Sequence, residues 1–180
     1  MKKFIVYLFV IVIVVSLGFA IFSLVRDDEV ISLSETSLYV TKGDKFKIDV
    51  IFTNKKAYSK VQSITPRDES KLRYDPLTEE FTALAGGEPT YITFTTNNVK
   101  FRNLGCKVYI GDGTAISPFY IQTAEQMRKI GDTTIPGNPF LLSSCYQLIN
   151  DIDLVDGMKG TGFWIPIGTG SSTGFIGRFD

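Results

Sequence analysis

Residues 104–110 read Leu104-Gly105-Cys106-Lys107-Val108-Tyr109-Ile110, with Leu104, Cys106, Val108 and Ile110 on one parity and Lys107 and Tyr109 on the other. Side chains of a strand alternate between its two faces, so this spacing predicts a strand with one buried face. Working outward, Ile92 and Phe94 alternate with Tyr91, Thr93 and Thr95. Phe46, Ile48, Val50 and Phe52 alternate with Lys47, Asp49 and Ile51, which reads as a single half-buried strand. Turn-forming residues separate the runs: Lys42-Gly43-Asp44, Asn54-Lys55-Lys56, Asp75-Pro76, Gly86-Gly87 and Asn97-Asn98. Helical periodicity is lacking between residues 30 and 110. Several short strands at this spacing predict an antiparallel sandwich.

Within that stretch, Ile31-Ser32-Leu33, Leu38-Tyr39-Val40 and Lys42-Gly43 come first. Phe81-Thr82-Ala83-Leu84-Ala85-Gly86-Gly87 stands midway, and Cys106-Lys107-Val108-Tyr109-Ile110 closes it. Residues 30–110 thereby resemble the bacterial Ig-like domain (group 2). Where that family often has a tryptophan after its third strand, this chain has Thr65 and Pro66. The resemblance implies a spacer or adhesive module of surface proteins and brings no catalytic residues with it.

After Gly111-Asp112-Gly113-Thr114, read as a short flexible joint, the pattern changes. Thr123 is a natural N-cap, Gln126 completes a capping box, Arg128 and Lys129 suit the C-terminal end of the dipole, and Gly131 is a C′ stop. A two-turn helix is expected. From Cys145 to Leu154, Tyr146, Leu148, Ile152 and Leu154 share the inward parity, and Cys145, Gln147, Asp151 and Asp153 the outward one.

Four motifs follow in order: Pro118-Phe119-Tyr120-Ile121 with Thr123-Ala124-Glu125-Gln126, then Asn150-Asp151-Ile152-Asp153-Leu154, then Trp164-Ile165-Pro166-Ile167-Gly168, then Phe175-Ile176-Gly177-Arg178-Phe179-Asp180. Residues 118–180 resemble the opening of a right-handed parallel β-helix of the pectin-lyase-like, GLUG-containing kind. In that family the last motif runs on into further rungs. A rung cannot bury its apolar face without neighbours, so the expectation is that these 180 residues are a fragment.

Ahead of both stretches, Phe4 to Val25 contains no charged residue. About 20 such residues span the ~30 Å hydrocarbon core. Lys2 and Lys3 precede the run, while Arg26, Asp27, Asp28 and Glu29 follow it. That places the N-terminus in the cytoplasm and the bulk outside. Residues 1–26 are read as a cytoplasmic stub and transmembrane anchor. The competing reading is a cleaved signal peptide ending near Gly18-Phe19-Ala20, which would leave the protein secreted. No cysteine lies near the segment's end, which excludes a lipid-modified N-terminus.

Composition narrows the chemistry. The chain has 19 basic residues, 19 acidic residues and no histidine. Ser-His-Asp, Cys-His and zinc-histidine sites within it are excluded. Zero net charge argues against nucleic acid as a partner; from Asp27 to Ala115, 12 basic residues face 13 acidic ones. Asp151, Asp153 and Asp156-Gly157 invite a calcium reading, but counting an EF-hand loop from Asp151 puts Val155 at position 5 and Gly162 at position 12. Asp151 and Asp153 stand at a spacing that glycoside hydrolysis permits; outward aspartates on a strand are the preferred reading.

Cys106 and Cys145 fall in different segments and on opposite parities, so a buried Cys106 and a free, exposed Cys145 are expected rather than a bridge. The run from Gly168 to Gly174 lacks the lysine of a phosphate loop. Trp164, a conceivable sugar platform, is read as packing. No catalytic, cofactor-binding or metal residue is assigned, and no cofactor.

The combined expectation is mainly β: a transmembrane helix at 1–26, an Ig-like β-sandwich at 30–110 and the first rungs of a parallel β-helix with a short α-helix at 118–180. Function follows as a membrane-anchored bacterial cell-surface protein, in which an Ig-like stalk presents the β-helix for adhesion to a host or cell-surface glycan or protein. The alternatives are a polysaccharide-degrading enzyme with its active site beyond residue 180, and a structural envelope spacer.

Overall fold

A computed structural model describes residues 30–53, 59–155, 164, 166–168 and 174–180. The expected span at Phe4–Val25 and the turn at Asn54-Lys55-Lys56 lie outside the described residues, as does most of the run from Gly168 to Gly174. Among the described residues no helix is long and apolar enough to cross a membrane. The chain divides into two compact units, residues 1–31 with 52–58, and residues 32–51 with 59–180. In the first, Val30 N–H donates to Thr53 Oγ1 at 2.9 Å and Thr53 N–H to the Val30 carbonyl at 3.1 Å.

Among the described residues the fold is mainly β, with several sheets and no closed barrel. A four-stranded sheet runs β2 (Ser37–Thr41), β9 (Asn103–Gly111), β8 (Thr90–Thr96), β5 (Val61–Pro66). A three-stranded sheet runs β3 (Lys45–Phe46), β7 (Glu80–Ala83), β6 (Leu72–Asp75). β1 (Ile31–Leu33) and β4 (Val50–Phe52) make a further ladder. The alternation at 104–110 and 90–96 decides which faces meet. Ile92, Phe94, Cys106, Val108 and Ile110 of the larger sheet are buried in one core with Leu72, Phe81 and Ala83 of the smaller. Phe81 is its centre, with ring centroids 4.8 Å from Tyr74, 5.4 Å from Phe46 and 6.4 Å from Phe94.

Two departures from the expected sandwich have physical causes. The run from Phe46 to Phe52 keeps its parity, but it is two strands in different sheets. Asp49 N–H donates to Ser34 Oγ at 3.0 Å and Ser34 N–H to the Asp49 carbonyl at 2.8 Å, so the second half is handed to β1. In addition, β2 pairs β9 in parallel, Tyr39 beside Tyr109, whereas β5–β8, β8–β9, β3–β7 and β6–β7 are antiparallel. Pro66, at the position noted above, is buried at the end of edge strand β5 opposite Ile92, where its missing N–H is tolerated.

β10 (Phe119–Ile121), β11 (Cys145–Leu148) and β12 (Arg178–Phe179) form an all-parallel ladder. Register puts Phe119 beside Tyr146 and Tyr146 beside Phe179, with ring centroids 5.8 and 5.7 Å apart. Phe140 and Phe175 close over this column. Between β10 and β11, helix α1 (Ala124–Arg128) carries the complete Thr123–Gln126 capping box. Its C-cap is Lys129, and Gly131 takes φ +73° one residue later than expected.

The inward parity from Tyr146 to Leu154 does not hold throughout. β11 ends at Leu148, which is 42% exposed. Ile149 N–H turns to the Ile121 carbonyl at 3.1 Å and the Asn150 amide donates to the Gln122 carbonyl at 3.2 Å. The strand direction is lost there, and with it the alternation.

Two outcomes follow for stability. Phe81→Ala removes the ring around which both sheets pack, and should cost about 3–5 kcal/mol in urea unfolding. Burial, aided by Glu35, pushes the Cys106 thiol up to about 11 from 9.0. The unfolded chain therefore releases this proton first, and stability present below pH 9.0 falls as pH rises toward about 11. Cys106→Ala should flatten that fall in urea midpoints taken across the same interval.

Candidate functional site

The outward parity of the four-stranded sheet brings together side chains far apart in sequence. Tyr39 of β2 stacks on Tyr109 of β9 with centroids 4.6 Å apart and planes at 16°. Tyr120 of β10 meets both edge-on, at 5.2 and 5.9 Å. The Lys107 ammonium lies 4.7 Å from the Tyr109 ring centroid. A hydrogen bond with Tyr109, opposed by desolvation, raises the Lys107 pKa. Tyr91 stands beside Lys107 in register, and the Arg67 guanidinium lies 5.9 Å from the Tyr91 centroid.

A row of rings and cations thus crosses the sheet from β10 to the end of β5. Its rings cover one another's faces, and Tyr91 is the most open, at 39% exposure. Next to it Gly105 leaves the sheet bare, since a Cβ there would meet nothing within 4 Å. The ion pairs seen among the described residues, Lys129–Glu125 and Arg178–Asp180, lie elsewhere. Phenol hydroxyls, two cations and an open glycine floor can hold a polar or anionic surface by hydrogen bonding and charge.

The joint after β9 is a closed turn. Asp112 and Gly113 N–H both donate to the Ser117 carbonyl, at 2.9 and 3.0 Å, and Thr114 Oγ1 donates to Asp112 Oδ1 at 2.7 Å. Ser117, fully buried, donates its hydroxyl to the Ile110 carbonyl. Cys145 N–H reaches the Gly113 carbonyl at 2.9 Å, and the Gln122 amide reaches the Tyr39 carbonyl at 3.2 Å. The flexible joint expected at residues 111–114 is therefore a hydrogen-bonded seam, tied from both sides.

Residues singled out by sequence are placed as follows. Asp151 and Asp153 are exposed and share an open hollow with Glu125, Gln122 and Thr123. Among the described residues no group of three acidic or cysteine side chains is arranged to hold a metal ion. Cys106 is buried, Cys145 is half-buried, and both are free thiols. Trp164 is half-buried. The tyrosine row was not anticipated. Tyr91 and Tyr109 were legible as outward residues, but their meeting with Tyr39 and Tyr120 depends on register between distant segments.

No family model and no curated protein matches the chain. A solved structure of a Bacteroides fragilis protein assigned as an alpha-galactosidase aligns with 67% of this chain and 28% of its own, at 14% identity and a TM-score of 0.32. So low a score carries no argument about fold or activity. The aligned part spans little more than a quarter of that protein.

At Gly111 a Cβ would stand 2.5 Å from the Pro118 carbonyl oxygen and 3.0 Å from Phe119 Cα. Gly111→Ala should therefore open the seam, lower stability by roughly 1–3 kcal/mol and speed thermolysin cleavage before Ile116. Gly105→Ala, with nothing to strike, should leave the cleavage rate unchanged.

Proposed function

We propose that the chain is a membrane-anchored bacterial cell-surface protein that binds without turnover. An Ig-like β-sandwich at residues 30–110 acts as a stalk, and residues 118–180 supply the first rungs of a parallel β-helix that it presents. The partner is a glycan or protein on a host or neighbouring cell. Two sheets over one core favour the first assignment, and the Phe119–Tyr146–Phe179 column favours the second.

The observation that carries the stalk reading is the seam. A stalk must transmit orientation, and a junction held by Ser117, Gln122 and three interlocked tyrosines resists bending in a way that a bare glycine joint does not. The outward row from Tyr120 to Arg67 supplies polar and cationic contact groups without a paired nucleophile and base. That arrangement suits recognition.

Intact cells treated with a membrane-impermeant maleimide test the placement. Cys145 should be labelled, and Cys106 should react only after denaturation. Protection of Cys145 on intact cells with labelling in lysates would overturn the export. Binding is tested by overlaying the bilayer-reconstituted full chain on glycan and protein arrays. Retention of unmodified ligand is expected, and release of cleaved sugar would replace the stalk reading with an enzyme.

A further inference from the structure

On the four-stranded sheet the outward positions carry hydroxyls, amides, glycines, tyrosines and one lysine, but no carboxylate and no aliphatic side chain. That segregation selects among partners. An interface with another folded protein is centred on buried apolar anchors ringed by polar groups, and this face offers no aliphatic anchor. Its rings other than Tyr91 are engaged with one another: Tyr39 and Tyr109 stack at 4.6 Å, and Tyr120 closes on both. The surface left over is flat, hydroxyl-rich and cationic.

Two levels of the face define the contact. Arg67, Tyr91 and Lys107 form one: Arg67 N–H donates to the Tyr91 carbonyl at 2.8 Å, and Tyr91 is in register with Lys107. Thr65, Thr93 and Gly105 form the next, again in register, about 7 Å along the strands. Neighbouring strands lie ~4.8 Å apart, so the two cations stand roughly 10 Å apart at Cα. Neither forms an ion pair among the described residues. Asp68, next to Arg67, is turned to Ser70, accepting its N–H at 3.0 Å and its hydroxyl at 2.6 Å. Glu88 and Asp112 act at the other end of the row, where burial first, and these carboxylates in addition, raise the Tyr120 pKa. The positive end of the row is therefore the one at Arg67 and Lys107.

We infer that the Arg67–Tyr91–Lys107 level binds an acidic glycan, whose carboxylates pair with the two cations and whose hydroxyls bond to Thr65 and Thr93. The inference rests on the reading of the chain as a binding protein and names the partner's chemistry. A guanidinium takes a carboxylate bidentately, and an ammonium takes one as a point charge. Carboxylates on alternate sugars of an extended glycan are spaced much as Arg67 and Lys107 are. Sugar hydroxyls both donate and accept, as threonine hydroxyls do. Gly105, where a Cβ would meet nothing within 4 Å, lets the glycan lie against the backbone.

Calorimetric titration of the full chain in lipid nanodiscs with a hyaluronan decasaccharide, which carries carboxylates on alternate sugars, tests this. The carboxyl-reduced decasaccharide and a polyglutamate peptide of equal charge are the comparison ligands. The parent should bind the decasaccharide, less tightly as salt rises, and each comparison ligand about tenfold more weakly. Arg67→Gln and Lys107→Gln should each lower affinity for the decasaccharide about tenfold. Lys129→Gln, which removes the same charge from the end of α1, should bind as the parent does. Undiminished binding by both Arg67→Gln and Lys107→Gln, or equal binding of the reduced sugar, overturns the site and leaves a binding protein standing. Tighter binding of polyglutamate puts an acidic protein on the face and overturns the glycan. A parent that ignores the decasaccharide but retains another ligand on the arrays also overturns the inference alone; one that retains nothing on either overturns the binding reading with it.

Discussion

The architecture of the second unit depends on β9 having two committed faces. Inward, Cys106, Val108 and Ile110 leave water completely or nearly so, and burial of side chains of this kind contributes about 1.5–3 kcal/mol each for the larger ones. Because the side-chain period is two, a one-residue slip would turn those residues outward and bury Lys107 and Tyr109 instead. That penalty fixes the register against β8 and β2 together. Tyr91 is thereby placed beside Lys107, and Tyr39 beside Tyr109. The outward row is a consequence of the inward packing.

Legibility in the sequence followed the range of the interaction. Alternation at 90–96 and 104–110 is a local property, and both strands stand where it put them. Thr123, Gln126 and the basic end of α1 are also local, and the helix has the expected N-terminal capping box, though it is shorter than two turns and caps at Lys129. The single strand from Phe46 to Phe52 failed because parity says nothing about partners. Ser34 captures Asp49 through two hydrogen bonds and divides the run between two sheets. Leu148 failed for a related reason: the bond from Ile149 to Ile121 ends the strand before its alternation does. The tyrosine row needed a parallel pairing between segments some 70 residues apart, which no local pattern carries.

The joint shows how composition misleads when partners are distant. Two glycines, an aspartate and a threonine describe a loose linker by propensity. Here Asp112 closes the turn through Thr114, and Gly111 is required for close approach to Pro118 and Phe119. The buried Ser117 hydroxyl satisfies the Ile110 carbonyl at the end of the core strand. A buried carbonyl without such a partner costs a desolvation penalty of about 1–3 kcal/mol, so order at the seam and order at the end of β9 reinforce each other.

The seam also answers a difficulty of parallel ladders. Stacked repeats expose a first strand whose outer edge invites pairing and whose apolar side lacks a neighbour. β10 is that strand here, bonded to β11 on one side. On its other side Tyr120 meets Tyr39 and Tyr109, and the Gln122 amide binds the Tyr39 carbonyl of β2. The four-stranded sheet thus covers β10 on that side. The contact requires both the register of β9 and its outward tyrosines, which ties the order of β10 to the side-chain parity of β9.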